Sequence, residues 1–400
     1  MAMKRFLVVI FILFLANASG DNPWKVTELS SPAGLGSGQP NLVVSAGKFY
    51  LSWLEKTGKD HAFKVSGWDG KSWSSPKVIV TGKPFFVNWA DFPSLLPIAT
   101  NGFAAHWLEK IGKDIYAYAV MTSFSSDAGN HWSRAIKVHS DASESEHGFA
   151  SMMNLGNQKL GYVWLDGRNF KKQAHSMENE MSLVFATFEH GAFRNETVLD
   201  SRVCDCCQTD AGVTTEGMIV AYRDRSDAEI RDISYVRFVN GKWTSPRTLN
   251  PDNWKIAACP VNGPAVATRG KDVAIAWFTG AGEQGRTQIV FSKDSGATFG
   301  NPIRIDQGKP LGRIDAVWLN DRDVVVSWLE NTKNGTEIRI RKISSDGQLS
   351  APFTVADSSS ARSSGFPRMA AAQDRLLIAW TFAGDPSRVR VMYLQSAIVN

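Results

Sequence analysis

Three of the four cysteines of this 400-residue chain fall within four positions, Cys204, Cys206 and Cys207 of "VCDCCQTD", and the fourth is Cys259 of "ACPVNGP". Such a cluster supports three chemistries: disulfides, a thiolate site for a soft ion such as zinc or copper(I), or thiol redox chemistry. The spacing C-x-C-C is not the C-x-x-C of zinc knuckles, and on a strand residues 206 and 207 point to opposite sides. No cofactor is therefore expected, with zinc or copper at the cysteines as the alternative. Sixteen residues past Cys207 begins "RDRSDAEIRD", where Arg223, Asp224, Arg225, Asp227, Glu229, Arg231 and Asp232 place seven charges in ten positions. Arginines in such a run can offer paired donors to an anionic or hydroxylated ligand while carboxylates orient them. A solvated loop with internal ion pairs is the structural alternative. Arg223, Asp224, Arg225, Glu229, Arg231, Asn262 and Arg313 are the candidate ligand-binding residues, and Asp210, Asp224 and Glu229 the candidate acids or bases. Asp166, Arg168, Trp89, Asp91 and Asp315 could ring the same opening. Glu55, Glu109 and Glu330 recur in "WLEK" or "WLEN" and read as structural, and His147 and His175 as surface residues in polar loops.

The N-terminus decides how the cysteines are read. "MAMKRFLVVIFILFLANASG" has Lys4 and Arg5, an apolar run from Phe6 to Ala16, then small residues, the layout of a secretory signal peptide. That run is too short to cross a bilayer as a helix, and no later stretch is longer. Residues 1–20 are expected to be removed, leaving a secreted or periplasmic protein with a single domain over 21–400 and no membrane span. Of 44 basic and 39 acidic residues, Lys4 and Arg5 go with the leader, so 42 against 39 leave a net charge of +3. That excess is too weak to argue for nucleic acid, and a monomer is expected. In an oxidising compartment an even count of cysteines favours disulfides.

The elements that must position these residues are visible as a repeat. An apolar strand ending in an aromatic occurs seven times, at Trp53, Trp107, Trp164, Tyr222, Trp277, Trp328 and Trp380, at intervals of 54, 57, 58, 55, 51 and 52 residues. Each is preceded by a strand-like run with a Gly, Asn or Asp turn, and followed by an alternating run, a tight turn and a short strand. Period-two alternation bounded by turn residues marks strands, and four strands per repeat of this length is the pattern of a β-propeller blade. The expected fold is all-β, a propeller of seven four-stranded blades, with six as the alternative. The seventh repeat stops one strand short at "RVRVMYLQS". "PWKVTELSSP" at the start of the mature chain looks like the missing strand, and pairing the two would close the ring.

The turn between third and fourth strands carries a resemblance. "SKDSGATF" (Ser292, Asp294, Gly296, Thr298, Phe299) and "SSDAGNHW" (Ser125, Asp127, Gly129, Trp132, with His131 in place of Thr) resemble the Asp-box, S-x-D-x-G-x-T-[FW], of sialidases and other BNR-repeat proteins. "SGWDGKSW", "VNGKW" and "SSDGQL" are worn versions at the same place. The resemblance implies architecture, since Asp-boxes are structural and fold does not fix function. It also implies that a functional site lies on the face opposite the boxes, where "VCDCCQTD", the charged run and "ACPVNGP" all fall. A sialidase needs an arginine cluster, a carboxylic acid or base, and a tyrosine nucleophile paired with a glutamate. The family's early R-I-P motif is missing here, where the first-blade strand reads "QPNLVVSAG", and Tyr222 fills a packing slot. The resemblance is therefore closer to secreted bacterial sialidase-like proteins with CDCCQT and CPVNGP segments than to sialidases themselves. A carbohydrate or other polar small ligand bound opposite the Asp-boxes is the expected function, with a sialidase-type glycoside hydrolase and a metal or redox protein as alternatives.

Register then constrains the cysteines. Cys259 lies 18 residues before Trp277, and Cys204 and Cys206 lie 18 and 16 before Tyr222, so Cys259 should sit level with one of them on the neighbouring inner strand. A Cys206–Cys259 bridge, or its Cys204 variant, is expected to tie blades four and five, worth about 4 kcal/mol by loop closure. The remaining pair would be Cys204 with Cys207, or Cys206 with Cys207.

Overall fold

The computed structural model describes residues 24–170 and 179–396. Seven antiparallel sheets surround an axis, six of them built from consecutive strands and the seventh from the last three strands and the first, so the expected seven blades are observed. Their innermost strands are Ser37–Ser45, Ser94–Ala99, His147–Asn154, Asp210–Thr214, Ala265–Arg269, Lys309–Trp318 and Arg368–Ala372. The N-terminal strand Trp24–Leu29 is the outermost strand of blade seven, pairing Trp24 with Ser396 through to Leu29 with Val391. This closure joins the two ends of the described chain and covers an edge that would otherwise offer unpaired backbone groups. Among the described residues no helix is long and apolar enough to cross a membrane.

The aromatics that mark the repeat are its packing centres. All seven are essentially inaccessible, and apolar side chains from adjacent blades pack around them. The recurring acid two residues on has the structural role read from its recurrence. Trp53, Trp107, Trp164 and Trp328 donate their indole N–H to Glu55, Glu109, Asp166 and Glu330 at 2.9, 2.8, 2.7 and 2.5 Å. A buried indole N–H needs such a partner, and Trp277 takes its own from Asp252 at 2.7 Å.

In both well-formed turns the serine hydroxyl and the aspartate gather the backbone. Gly129 and Gly296 donate to Ser125 and Ser292 Oγ at 2.9 Å, and His131 and Thr298 donate their N–H to Asp127 and Asp294 Oδ1 at 2.9 Å. Thr298 adds its hydroxyl to Asp294 at 2.7 Å, and His131 puts its ring nitrogen in the same place, 2.6 Å from Asp127. His131 thus does the work of the threonine it replaces. Phe299 packs edge-on against Tyr235, and Trp132 closes the core between blades one and two.

Every seam between neighbouring blades carries a polar bond near the axis. Leu95 N–H donates to Asn41, Phe149 N–H to Asp91, Val266 N–H to Asp210, Arg313 N–H to Asn262 and Met369 N–H to Asp315, at 2.6–3.1 Å. Ser151 bonds Thr209 at the third seam, and Gln39 N–H meets Thr381 Oγ1 at the last. First strands in a propeller leave amides facing the next blade, and a buried amide without an acceptor is costly. Asp210 and Asn262 are therefore seam groups before they are anything else, and so are Asp91 and Asp315.

Candidate functional site

The charged run of blade four turns inward. Arg223, Arg225 and Arg231 are each 2 % exposed or less, which is incompatible with three donors held out to a ligand. Arg223 spends its guanidinium on three carbonyls, those of Asn262, Arg231 and Phe278 at 2.7, 2.5 and 2.7 Å, and lies over the Trp254 ring. Burial pushes its pKa down to about 9. Arg225 reaches the Asn179 carbonyl, Asp205 and Glu229, and Arg231 pairs with Glu229 at 2.7 Å. Asp224 accepts from Arg225 N–H and Ser234. Arg313 likewise donates to Ser360, Ala361 and Gly365 carbonyls and Ser364 Oγ, and covers Trp89. Arg223 and Arg313 thus spend their donors mainly on backbone carbonyls, Arg225 on the Asn179 carbonyl and the Asp205 and Glu229 carboxylates, and Arg231 on Glu229, which is the internal pairing that the sequence offered as the alternative to a ligand site. One atom escapes, Arg231 Nη1, which is buried with no hydrogen-bond partner.

Two expectations are corrected. The bridge from Cys259 to Cys206 or Cys204 is not formed: Cys204 is bonded to Cys207, while Cys206 and Cys259 are free thiols. The shared register was nonetheless real: the two cysteine segments meet across the seam, where Gly263 N–H donates to Gln208 Oε1 at 3.0 Å. His147 is not at the surface but fully buried, stacked on His139 with ring centroids 3.7 Å apart and with Nε2 3.1 Å from Asp141. Those rings are parallel within 2°, so their in-plane lone pairs have no common meeting point, and the trio is not arranged to chelate one ion. Asp166 pairs there with Arg168 at 2.6 Å. His175 lies outside the described residues.

Two groups were missed by the sequence reading. One is Tyr118, whose hydroxyl stands 2.9 Å from Asp91 and 3.0 Å from Glu146, all three buried. One hydroxyl hydrogen serves two carboxyls best when one of them is protonated. Accordingly, burial pushes Asp91 up to about 7 and Glu146 well above the carboxylate range. Asp91 also lines an axial cavity of about 200 Å³, together with Asp210, which burial raises to about 6, and Arg368. No local signal marks Tyr118 or Glu146, since they meet Asp91 only through blade packing.

The second missed group is a groove of about 440 Å³ on the face opposite the turns of Ser125 to Trp132 and Ser292 to Phe299. It is built from the loops leading into blades one, two and seven and from the hairpins joining second and third strands in blades one and seven. Gln39, Lys56, His61, Thr381 and Asp385 supply polar groups, and Val87 and Trp89 apolar surface. A strand irregularity between Gly38 and Asn41 puts Gln39 at φ 53°, which re-aims its side chain away from the ladder. Gln39 Nε2 donates to the Asn88 carbonyl at 2.5 Å, which fixes the amide orientation, and leaves Oε1 buried with no partner.

The fold and these sites define a seven-bladed β-propeller. Solved structures similar to it include an ulvan lyase bound to a GlcA(1-4)Rha3S saccharide (13% identity, TM-score 0.57, covering 92% of this chain and 96% of that one) and the polysaccharide lyase Uly1 (8%, 0.55, 90% of each). The α-L-arabinofuranosidase Arb93A of Fusarium graminearum is a third (15%, 0.51, 90% and 93%). At such identities the likeness establishes the fold. Neither family models nor curated proteins give a match to the sequence.

Proposed function

We propose that the protein is a secreted propeller that binds a hydroxylated ligand of the carbohydrate class in the groove over blades seven, one and two, on the face opposite the Asp-box turns. The observation that carries this reading is the unpartnered Gln39 Oε1 in a polar groove. A buried amide oxygen without a donor costs about 1–3 kcal/mol, and a sugar hydroxyl would supply the donor. Volume and lining suit the same class, because a small set of polar groups beside an aromatic is how sugars are oriented. The carbohydrate-active neighbours are consistent with it, and the leader-like N-terminus supports export. The test is a glycan array followed by calorimetry on the mature protein. Gln39→Leu and Lys56→Ala should each weaken binding of the selected glycan by about tenfold, or ~1.4 kcal/mol, with unfolding curves unchanged for the exposed Lys56. Glycan binding that is indifferent to both substitutions would remove the groove from the account.

A second reading, glycoside cleavage of sialidase type, is favoured by one observation, the Asp91–Tyr118–Glu146 trio beside the axial cavity. Tyr118 is fully buried and stacked on Phe86 at 3.9 Å, so this reading requires an opening motion before the hydroxyl meets a substrate. Turnover of a fluorogenic sialoside that vanishes in Tyr118→Phe would establish it.

A further inference from the structure

The four sulfurs form a chain running from the interior to the surface where the loops leading into blades four and five meet. Cys204 and Cys207 are bonded, both buried. Cys206 Sγ lies 3.9 Å from Cys204 Sγ on one side, and on the other its segment meets that of Cys259, with Gly263 N–H bonded to Gln208 Oε1 at 3.0 Å. Cys259 is exposed. We propose that Cys259 and Cys206 are a thiol–disulfide exchange site, with Cys259 the attacking thiol, Cys206 the resolving thiol, and Cys206 the link to the buried Cys204–Cys207 bond.

The surroundings suit these roles. A thiolate is the reactive form, and nearby guanidinium groups favour it. Interaction with the Cys206 thiol, with Arg231 and Arg225 behind it, brings the Cys259 thiol down to about 7 against the effects of burial and of Asp205. The same interaction and deep burial hold Cys206 protonated. Arg231, whose Nη1 has no hydrogen-bond partner, is thus one of the two cations that favour the thiolate. This accounts for charges that the ligand groove, on other blades, does not use.

The chemistry closes without a metal or an added electron carrier. Cys259 thiolate attacks a partner's disulfide, forming a mixed disulfide and expelling one partner thiolate, which takes a proton from water. Cys206 gives its proton to solvent and attacks Cys259 Sγ, expelling the second partner thiolate and closing a Cys206–Cys259 bond. Two protein thiols are oxidised and one partner disulfide is reduced. The same thiolate of Cys206 can instead attack Cys204, releasing Cys207. Attack of Cys259 on Cys206 then releases Cys204, so the bond moves from the buried pair to the surface pair. In that branch the protons of Cys206 and Cys259 end on Cys204 and Cys207, and no electrons are gained or lost.

The experiment uses the full mature protein, exposed to a limiting dithiol and then to Ellman's disulfide, with released thionitrobenzoate counted and the protein mass measured. Wild type should release two equivalents and keep no adduct. Cys206→Ser should release one and keep a stable adduct on Cys259. Cys259→Ser, a change at an exposed position, should react at least tenfold more slowly. After internal exchange, peptide mapping should find both Cys204–Cys207 and Cys206–Cys259 linkages. A stable adduct on the wild type, identical behaviour of Cys206→Ser and wild type, or a stoichiometric zinc or copper ion that blocks the reaction until chelated would each overturn the proposal.

Discussion

Replacing Arg223 by methionine separates a structural arginine from a ligand-binding one. The side chain is 1 % exposed and satisfies three carbonyls, two in loops and that of Phe278 in a strand of blade five. Bonds from a charged donor contribute about 1.5–3 kcal/mol each, so the gross loss is roughly 5–9 kcal/mol. Against it stands relief from burying a cation, which pulls the Arg223 pKa from 12.5 to about 9, on the order of 5 kcal/mol at about 1.4 kcal/mol per unit. Methionine also keeps the packing against Trp254. The balance is a loss of about 2 kcal/mol. Urea unfolding followed by tryptophan fluorescence reads it directly. As a control, Asp227→Ala, at a fully exposed carboxylate, should change stability by no more than ~0.5 kcal/mol. A loss below about 1 kcal/mol for Arg223→Met, together with weakened ligand binding, would refute the reasoning and return Arg223 to the ligand.

Other expectations follow from the same contacts. Trp24→Ala in the closing strand should cost about 3 kcal/mol, and removing residues 24–29 should expose the edge of blade seven and promote self-association, measured by melting and light scattering. Gly148→Ala would place a Cβ 2.0 Å from Asp91 Oδ2, and should lower stability by about 2 kcal/mol in the same unfolding assay. Asp91 keeps its proton in the folded state up to about 7, whereas the unfolded chain releases it near the ordinary aspartate value of 3.8. Its contribution is therefore complete below pH 4 and lost as pH rises toward 7. Urea melts across that window should show a fall in stability that Asp91→Asn reduces, with Glu146, Asp210 (raised to about 6) and the other acids raised by burial, Asp205, Asp224 and Asp315, contributing the remaining slope.

The architecture was legible because its signal is local and repeated. An aromatic at the end of each second strand, a turn with a serine and an aspartate, and a Trp24 strand without a partner gave seven blades and their closure. Facing of the cysteines was legible for the same reason, since register transfers from blade to blade. Bonding was not, because whether Cys206 pairs with Cys207, Cys259 or neither depends on distances of about one ångström. The direction of the arginines was also hidden. A run of alternating charges looks the same whether it faces water or carbonyls, and the acceptors of Arg223 are backbone atoms, which leave no trace in residue type. Asp91, Asn262 and Asp315 looked like a ring of ligand groups because seam groups and ligand groups occupy the same ends of the inner strands. Gln39 and the Tyr118 trio were invisible for a different reason: each is defined by residues more than 25 positions apart in adjacent blades.

The most direct measurement is a crystal structure of the mature protein soaked with the glycan selected on the array. The account predicts density in the groove over blades seven, one and two, with a sugar hydroxyl within about 3 Å of Gln39 Oε1. Density at the arginine run of blade four, with the groove empty at saturating glycan, would contradict it.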